Sequence, residues 1–304
     1  MLTLFVVSIL LAMAVSSLMP KEYRAFGDDV DDPTNPLLYI GMVIIFTFVI
    51  LWIARKGMQR LIQVIILFAV GMTMYFVLRP IIWQFTSFTV AEILSIQIAI
   101  ILTYALYKFP EWYVVDITGL LVAAGATAIF GISLGILPAI VLLAVLAIYD
   151  AIAVYRTKHM VDLADSVMDL RLPILLVVPK EQGYSFMEQA SIKEEIAEGK
   201  EREAMFMGLG DIIIPGVLVV SALTFLTPER VGEVLVAGIP GNVIVSFATL
   251  IGAICGFWAL MWFVWKGRPQ AGLPLLNSGA IIGYVISAMV VFGSLGIAWP
   301  ASFF

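Results

Sequence analysis

The sequence predicts an all-α, polytopic membrane protein with nine transmembrane helices. Hydrophobic residues make up 62% of the 304 residues and charged residues only 13%, and the mean hydropathy is +1.05, which lies far outside the range of soluble domains. Apolar stretches of about 20 residues, the length that a helix needs to cross roughly 30 Å of hydrocarbon, recur along the whole chain. None of them alternates polar and apolar residues, as the strands of a membrane barrel would.

The first predicted span covers residues 2–19. It contains an Ala-x-Ala sequence resembling a signal-peptide cleavage site, but no Lys or Arg precedes its apolar core, so we interpret it as a helix. An acidic loop follows. The remaining predicted spans cover residues 37–54, 61–83, 88–107, 113–134, 136–155, 204–226, 235–265 and 273–298. The chain is thereby predicted to have a six-helix part (1–155), a polar cytoplasmic loop (156–203) and a three-helix part (204–304).

The positions of Lys and Arg between the spans predict the orientation. Of the 17 basic residues, 13 lie in the loops after the second, fourth, sixth and eighth spans. Because cytoplasmic loops are enriched in Lys and Arg, we expect a cell-membrane protein whose N-terminus is cytoplasmic and whose C-terminus is external. The acidic first loop is then external.

The counts of Cys and His exclude several kinds of chemistry. The chain has one cysteine and one histidine, which can form neither a disulfide framework nor a His-Glu-x-x-His zinc site, and no Gly-x-Ser-x-Gly elbow is present. We therefore expect no metal and no cofactor. The expected partners are the lipid bilayer and other membrane segments rather than nucleic acid, and the sequence leaves a homo-oligomer open.

Two aspartates inside apolar stretches are the candidate functional residues. Asp150 lies in the sixth predicted span and Asp211 in the seventh, and an ionisable group inside a membrane helix costs roughly 2.5–3.5 kcal/mol on insertion scales. Counting 1.5 Å per residue from the cytoplasmic ends of these spans places both carboxylates roughly 9–12 Å below the boundary. The shared depth predicts that they face each other.

Two close carboxylates in a low-dielectric site hold one proton between them, which is the chemistry of aspartic proteases. The ionised member removes a proton from a shared water, and the protonated member donates a hydrogen bond to the scissile carbonyl. The same pair also suits a proton- or cation-coupled transporter, which intramembrane carboxylates alone would favour. A non-catalytic scaffold is disfavoured because it gives no use for two buried acids.

Glycines precede the second aspartate. In a helix over residues 204–226, Gly208 would lie one turn before Asp211 on the same face, and with Gly210 it would leave the backbone bare for an extended peptide. Pro215 cannot donate to the carbonyl of Asp211, which predicts a loosened helix there. The pairs Gly131/Gly135, Gly252/Gly256 and Gly279/Gly283 form Gly-x-x-x-Gly spacings, which we interpret as helix packing only.

These residues resemble motifs of the presenilin and signal peptide peptidase family, as in an archaeal homologue. Tyr149-Asp150 is similar to its Tyr-Asp motif and Gly208-Leu209-Gly210-Asp211 to its Gly-x-Gly-Asp motif, while Trp112-x-x-x-Asp116 resembles the signal peptide peptidase branch. The resemblance implies a presenilin-like fold and an intramembrane aspartyl protease that cleaves transmembrane helices or signal peptides. It implies Asp150 and Asp211 as catalytic residues, supported by Tyr149, Gly208, Leu209 and Gly210.

The third family motif, Pro-Ala-Leu before the last helix, is only partly present. The sequence Ala271-Gly272-Leu273-Pro274 keeps the Leu and the following Pro but replaces Pro-Ala by Ala-Gly. By resemblance, Gly272, Leu273 and Pro274 are expected to support the active site.

A short apolar run over residues 172–179 interrupts the polar loop between the two aspartates. It is bounded by prolines and is β-branched at Ile174, Val177 and Val178, which is typical of a strand with free edges, although a loop resting on the helices fits equally well. A protease must unwind a helical substrate before it reaches a peptide bond. We therefore expect Ile174, Leu176 and Val178 to pair with the unwound substrate.

Overall fold

The computed structural model describes residues 1–27, 29–154, 175–180, 204–266 and 270–297. Within this part of the chain, ten α-helices and four short strands occur. Their bounds are α1 Leu2–Ser16, α2 Asn35–Arg55, α3 Gln59–Trp83, α4 Phe88–Lys108, α5 Trp112–Ser133, α6 Ile136–Ile152, β1 Leu175–Pro179, β2 Ala204–Gly208, α7 Gly210–Phe225, α8 Pro228–Val231, β3 Leu235–Val236, β4 Ile239–Pro240, α9 Gly241–Trp265 and α10 Gly272–Phe292.

Five helices, α3, α4, α5, α9 and α10, are long and apolar enough to cross a membrane. Shorter apolar helices lie in α1, the first part of α2, α6 and α7. An apolar helix therefore lies within each predicted span, and the chain is an integral membrane protein. The count of nine crossings stays a prediction, because α7 with 16 residues is only about 24 Å long.

The chain forms two compact units. Apart from Met1, the first comprises Val43–Gly125 and Thr157–Leu209, and the second comprises Leu2–Met42, Ala126–Arg156 and Gly210–Phe304. Because α2 and α5 each contribute to both units, the boundary does not follow the predicted division into parts 1–155, 156–203 and 204–304. That division stays a prediction.

In the first unit, α3 packs along α4, and β1 and β2 form an antiparallel ribbon. Leu176 of β1 lies opposite Met207 of β2, and Val177 lies opposite Phe206. One buried cluster joins residues of the ribbon to α3, α4 and α5; its members include Val177, Ala204, Met74, Ala99 and Val115. The ribbon is thus packed against helices of its own unit.

The prediction of one helix over residues 204–226 is wrong at its start. Ala204–Gly208 is a strand, and the helix begins at Gly210. Ala204 and Met207 are buried while Met205 is exposed, so the segment fills the core in an extended form. A short apolar run does not reveal from its own sequence that its backbone partner is a distant strand.

The strand predicted within residues 172–179 is confirmed for Leu175–Pro179. Residues 172–174, and with them Ile174, lie outside the described residues. The expectation of free edges is wrong for this strand, because one edge pairs with β2 along its whole length.

In the second unit, α7 is the central helix. It contacts α1, α6, α9 and α10, and every residue from Ile214 to Ala222 is buried. A helix that is apolar on all sides is expected to be surrounded by other helices. This position carries Asp211, near the start of α7, into the unit beside α6.

The Gly-x-x-x-Gly spacings of α9 and α10 act in packing, as predicted. A Cβ on Gly252 would overlap the carbonyl of Gly279, and a Cβ on Gly256 would overlap the carbonyl of Leu275. A Cβ on Gly283 would lie 2.7 Å from the Ala248 oxygen. These glycines allow the two backbones to touch, and this contact fixes the start of α10 relative to α9.

The predicted eighth span, residues 235–265, is wrong in its first residues. Leu235–Val236 and Ile239–Pro240 pair as a small hairpin, and α9 begins only at Gly241. The turn places Ala237 at φ 53° and Gly238 at φ 82°. Two consecutive residues with positive φ are typical of the tight turns that join hairpin strands.

Candidate active site

Three helix ends meet around the two predicted catalytic carboxylates. Asp150 lies two residues before the end of α6, and Asp211 is the second residue of α7, which packs against α6. The start of α10 packs against both helices. Asp150 is buried, with 8% of its surface exposed, and Asp211 is half-buried. All these residues belong to the second unit, so the structure brings the pair together.

The first turn of α10 is bonded to Asp150. The backbone N–H of Leu273 donates to Asp150 Oδ2 at 3.0 Å, and the N–H of Gly272 interacts with the same carboxylate. The first N–H groups of a helix have no partner within the helix, and its N-terminus carries partial positive charge. Since Ala271 at the N-cap has no side-chain oxygen, Asp150 caps α10 from another helix.

Asp211 lies beside the same segment. A Cβ built on Gly272 would lie 3.4 Å from Asp211 Oδ1 and 3.5 Å from Oδ2, and the charge of Asp150 acts on the Asp211 carboxylate. Gly272 therefore lies close to both aspartates. The depth estimated from helical rise does not apply to Asp211, because α7 begins only one residue before it.

Replacing Gly272 by Ala, the residue of the family motif, should keep proteolytic activity within about threefold of the wild type. The added methyl group would meet Asp211 at an ordinary van der Waals distance. The rate of substrate cleavage by purified protein measures this. Gly272→Val extends beyond that contact, and equal rates for the alanine and valine variants would contradict this placement.

The other predicted support residues lie in different environments. The side chain of Tyr149 is 68% exposed and makes no hydrogen bond within the described residues. Gly208 ends β2, so it does not lie one helical turn before Asp211, and that prediction is wrong. Leu209 is buried, Gly210 is exposed at the first position of α7, and Pro274 is half-buried in the first turn of α10.

Sequence reasoning missed a contact at β1. The backbone N–H of Val177 donates to Asp116 Oδ1 at 2.7 Å, and Asp116 is buried in α5. Neighbouring residues of an antiparallel strand direct their backbone groups to opposite sides, so Leu176 and Val178 direct theirs towards β2. In the middle of β1, the backbone N–H on the outer edge is therefore already hydrogen-bonded to Asp116. A buried acid in an apolar helix was the available signal.

A second missed contact ties α10 to α6. Asn277, fully buried one turn after Leu273, donates through Nδ2 to the carbonyl of Leu143 at 2.9 Å. Leu143 lies two turns before Asp150 on α6. Polar side chains that hydrogen-bond across membrane helices are worth about 0.6 kcal/mol on average. Asn277 thus holds the α10 N-terminus at the height of Asp150.

The arrangement offers two interacting carboxylates, one of them bonded to backbone amides, at the meeting point of three helix ends. Such a pair can share a proton and act on one water molecule. Within the described part of the chain, no group of three His, Cys, Asp or Glu residues is placed to hold a metal ion. The geometry suits acid–base hydrolysis.

Comparisons with known proteins agree with this chemistry. The sequence profile described as "Signal-peptide peptidase, presenilin aspartyl protease" matches residues 2–293. A solved presenilin family intramembrane aspartate protease in the C222 space group is 32% identical, with a TM-score of 0.65, and the match covers 95% of this chain and 96% of that one. The same kind of protein in the P2 space group is 33% identical, with a TM-score of 0.65 and coverages of 96% and 98%. No curated protein sequence matches the chain.

The match extends over nearly the whole chain and includes both aspartate-bearing helices and the start of α10. It supports proteolysis, and it gives no support to a transporter. This protein belongs to the signal peptide peptidase and presenilin family of intramembrane aspartyl proteases.

Proposed function

We propose that this protein is a Gly-x-Gly-Asp type endopeptidase that hydrolyses peptide bonds within the transmembrane helices of membrane proteins or signal peptides, with Asp150 and Asp211 as its catalytic residues. The observation that carries the proposal is the position of both carboxylates beside Gly272, at the start of α10. Two acids on different helices thereby lie near one position that a water molecule and a peptide carbonyl can share.

The surroundings of the two carboxylates differ, and this difference assigns their roles. Asp150 accepts a hydrogen bond from the Leu273 N–H in the first turn of α10, and such a bond favours the ionised form of a carboxyl group. No bond of this kind reaches the Asp211 carboxylate within the described residues. We therefore assign the ionised form to Asp150, which removes a proton from the attacking water. Asp211 carries the shared proton and donates it to the scissile carbonyl oxygen, and the roles exchange as the amine leaves.

The catalytic pair needs water inside the membrane. Backbone groups at helix ends are tolerated at membrane depth only where they face protein or a water-filled cavity. The ends of α6, α7 and α10 meet at the aspartates, which supports a wet cleft there. We propose that this cleft opens to the cytoplasm, with nine crossings, a cytoplasmic N-terminus and an external C-terminus.

The ribbon of β1 and β2 is proposed to hold the unwound substrate as an added strand. β2 ends at Gly208, three residues before Asp211 along the chain. Because the outer edge of β1 is bonded to Asp116 at Val177, the incoming strand is assigned to the outer edge of β2. Leu176 and Val178 then act by pairing with β2 and fixing its position. Ile174 lies outside the described residues, so the pairing expected for it stays a prediction.

Incubation of the detergent-purified protein with a generic single-span substrate tests the proposed function. We expect peptide fragments cut within the membrane segment, and we expect a transition-state inhibitor of aspartyl proteases to block their formation. Mass spectrometry of the fragments locates the cut. A solute flux that depends on both aspartates, without any proteolysis, would contradict the proposal and favour transport instead.

A further inference from the structure

A second polar site lies in the same unit, where α1, α5 and α7 end and α9 begins. The cavity has a volume of about 630 Å³. Its apolar wall includes Val30, Ile132, Leu223 and Phe225, and its polar lining includes Lys21, Arg24, Thr227, Arg230 and Asn242. Because four ends of apolar helices meet there, the cavity is at a boundary between hydrocarbon and water.

The basic residues of this cavity lie on the side of the membrane where the sequence predicts few Lys and Arg. The side predicted to be external carries only four Lys and Arg residues, namely Lys21, Arg24, Arg79 and Arg230. Three of the four line this one cavity, and the remaining one, Arg79, pairs with Glu92 at 2.7 Å. Basic residues are sparse on the external side, so their convergence calls for a function at this place.

Within the part of the chain that the structure describes, the positive charge inside the cavity is only partly neutralised. Arg230 forms a bidentate pair with Asp31, with distances of 2.9 and 2.6 Å. Arg24 has no acidic partner among the described residues, and its buried Nε has no hydrogen bond there. Both guanidinium groups instead lie near the Phe225 ring, at 5.8 Å for Arg24 and 5.7 Å for Arg230. Among the described residues, therefore, no carboxylate neutralises the charge of Arg24.

Helix ends alone do not explain Arg24. The C-terminal ends of helices attract cations, and three such ends are close. However, several carbonyls at the ends of α1 and α7 already have donors: Val15 accepts from the Met19 N–H, Ala222 from the Leu226 N–H, and Leu223 from Asn242 Nδ2. Arg24 donates to none of these groups among the described residues.

We propose that this cavity binds a phosphate group, supplied by the headgroup of an anionic phospholipid in the external leaflet. The planar guanidinium of Arg24 matches two phosphate oxygens, and Lys21 adds a second positive charge at the rim. The Thr227 hydroxyl, which has no hydrogen bond within the described residues, is a further donor. The apolar wall formed by Ile132 and Phe225 accommodates the glycerol end of the acyl chains.

Lipid binding to the purified, delipidated full-length chain tests this proposal. We expect dioleoylphosphatidylglycerol to be retained in native mass spectrometry and to raise the melting temperature, whereas dioleoylglycerol, with the same chains but no phosphate, has neither effect. Arg24→Gln should weaken the lipid affinity about tenfold, the size expected from one charge-assisted hydrogen bond. Arg55→Gln, which removes an exposed charge at the end of α2, should leave it unchanged.

Inorganic phosphate distinguishes the source of the ligand. If phosphate at millimolar concentration competes only weakly with the lipid, the ligand is a lipid headgroup. If phosphate binds as strongly as the lipid and its binding still depends on Arg24, the same site takes a soluble anion. Lys21→Gln, an exposed change, repeats the test independently of the folding of the Arg24 variant and should also weaken binding. Equal lipid binding by wild type and both variants, or equal binding of dioleoylglycerol, would overturn the proposal.

Discussion

Asp150→Ala and Asp211→Ala should each abolish cleavage of a transmembrane substrate while the protein still inserts and purifies. Positioned acid and base groups contribute about 10²–10⁴-fold each to such reactions, so either loss should bring the rate to the detection limit. The two losses should not be additive in the double variant, because the aspartates act as one unit on a shared proton.

Asp150 also caps α10, so its alanine variant changes more than catalysis. Loss of a helix cap costs about 1 kcal/mol of stability. Asp150→Asn keeps an oxygen that accepts the Leu273 N–H and should therefore retain the melting temperature while remaining inactive. Asp29→Ala, which removes an exposed carboxylate, is the matched control and should cleave normally. Retained cleavage in any single Asp150 or Asp211 variant would refute the assignment.

The convergence of the aspartates could be predicted from the sequence because it depends on few facts. An isolated carboxylate in an apolar stretch is costly, and two such acids in neighbouring stretches of the chain can share a proton if they meet. The matched depths that the sequence also predicted do not explain the meeting, because Asp211 lies at the start of its helix. The contact with Gly272 and Leu273 was accessible only through resemblance. Nothing in the pattern Ala271-Gly272-Leu273-Pro274 shows that a carboxylate from another helix replaces the missing cap.

The secondary structure predicted for two short apolar segments was wrong, because helix was expected and strands are present. Ala204–Gly208 and the following helix form one continuous apolar run in sequence, and its first five residues become a strand only because β1 supplies hydrogen-bond partners. The hairpin before α9 was missed for the same reason, since its apolar strands continue directly into the apolar helix. In both places the backbone follows from a partner distant along the chain, and hydropathy does not encode that partner.

Asp116 illustrates a related limit. Because it lies in a predicted span, its carboxyl group is costly to bury and needs a partner. That partner is a backbone N–H in a segment for which the sequence leaves strand and loop equally open. Only once β1 is known to pair with β2 does it follow that the Val177 N–H points outward and needs an acceptor. The partner of Asp116 therefore depends on the pairing of the ribbon and not on a sequence motif.

Leu176→Pro should lower cleavage at least about tenfold without weakening an inhibitor that binds directly at the aspartates. Leu176 directs its N–H towards Met207 of β2, and proline has no N–H to donate. The substitution removes a central hydrogen bond of the ribbon and displaces β2, whose outer edge is proposed to hold the substrate. Leu176→Val keeps the N–H and is the matched control for loss of the buried leucine side chain.

The rate of substrate cleavage and the inhibitor affinity are measured on the same purified samples. Inhibitor binding reports on the catalytic pair, whereas the cleavage rate also reports on substrate binding. Cleavage at the wild-type rate by a folded Leu176→Pro protein would show that the ribbon does not hold the substrate.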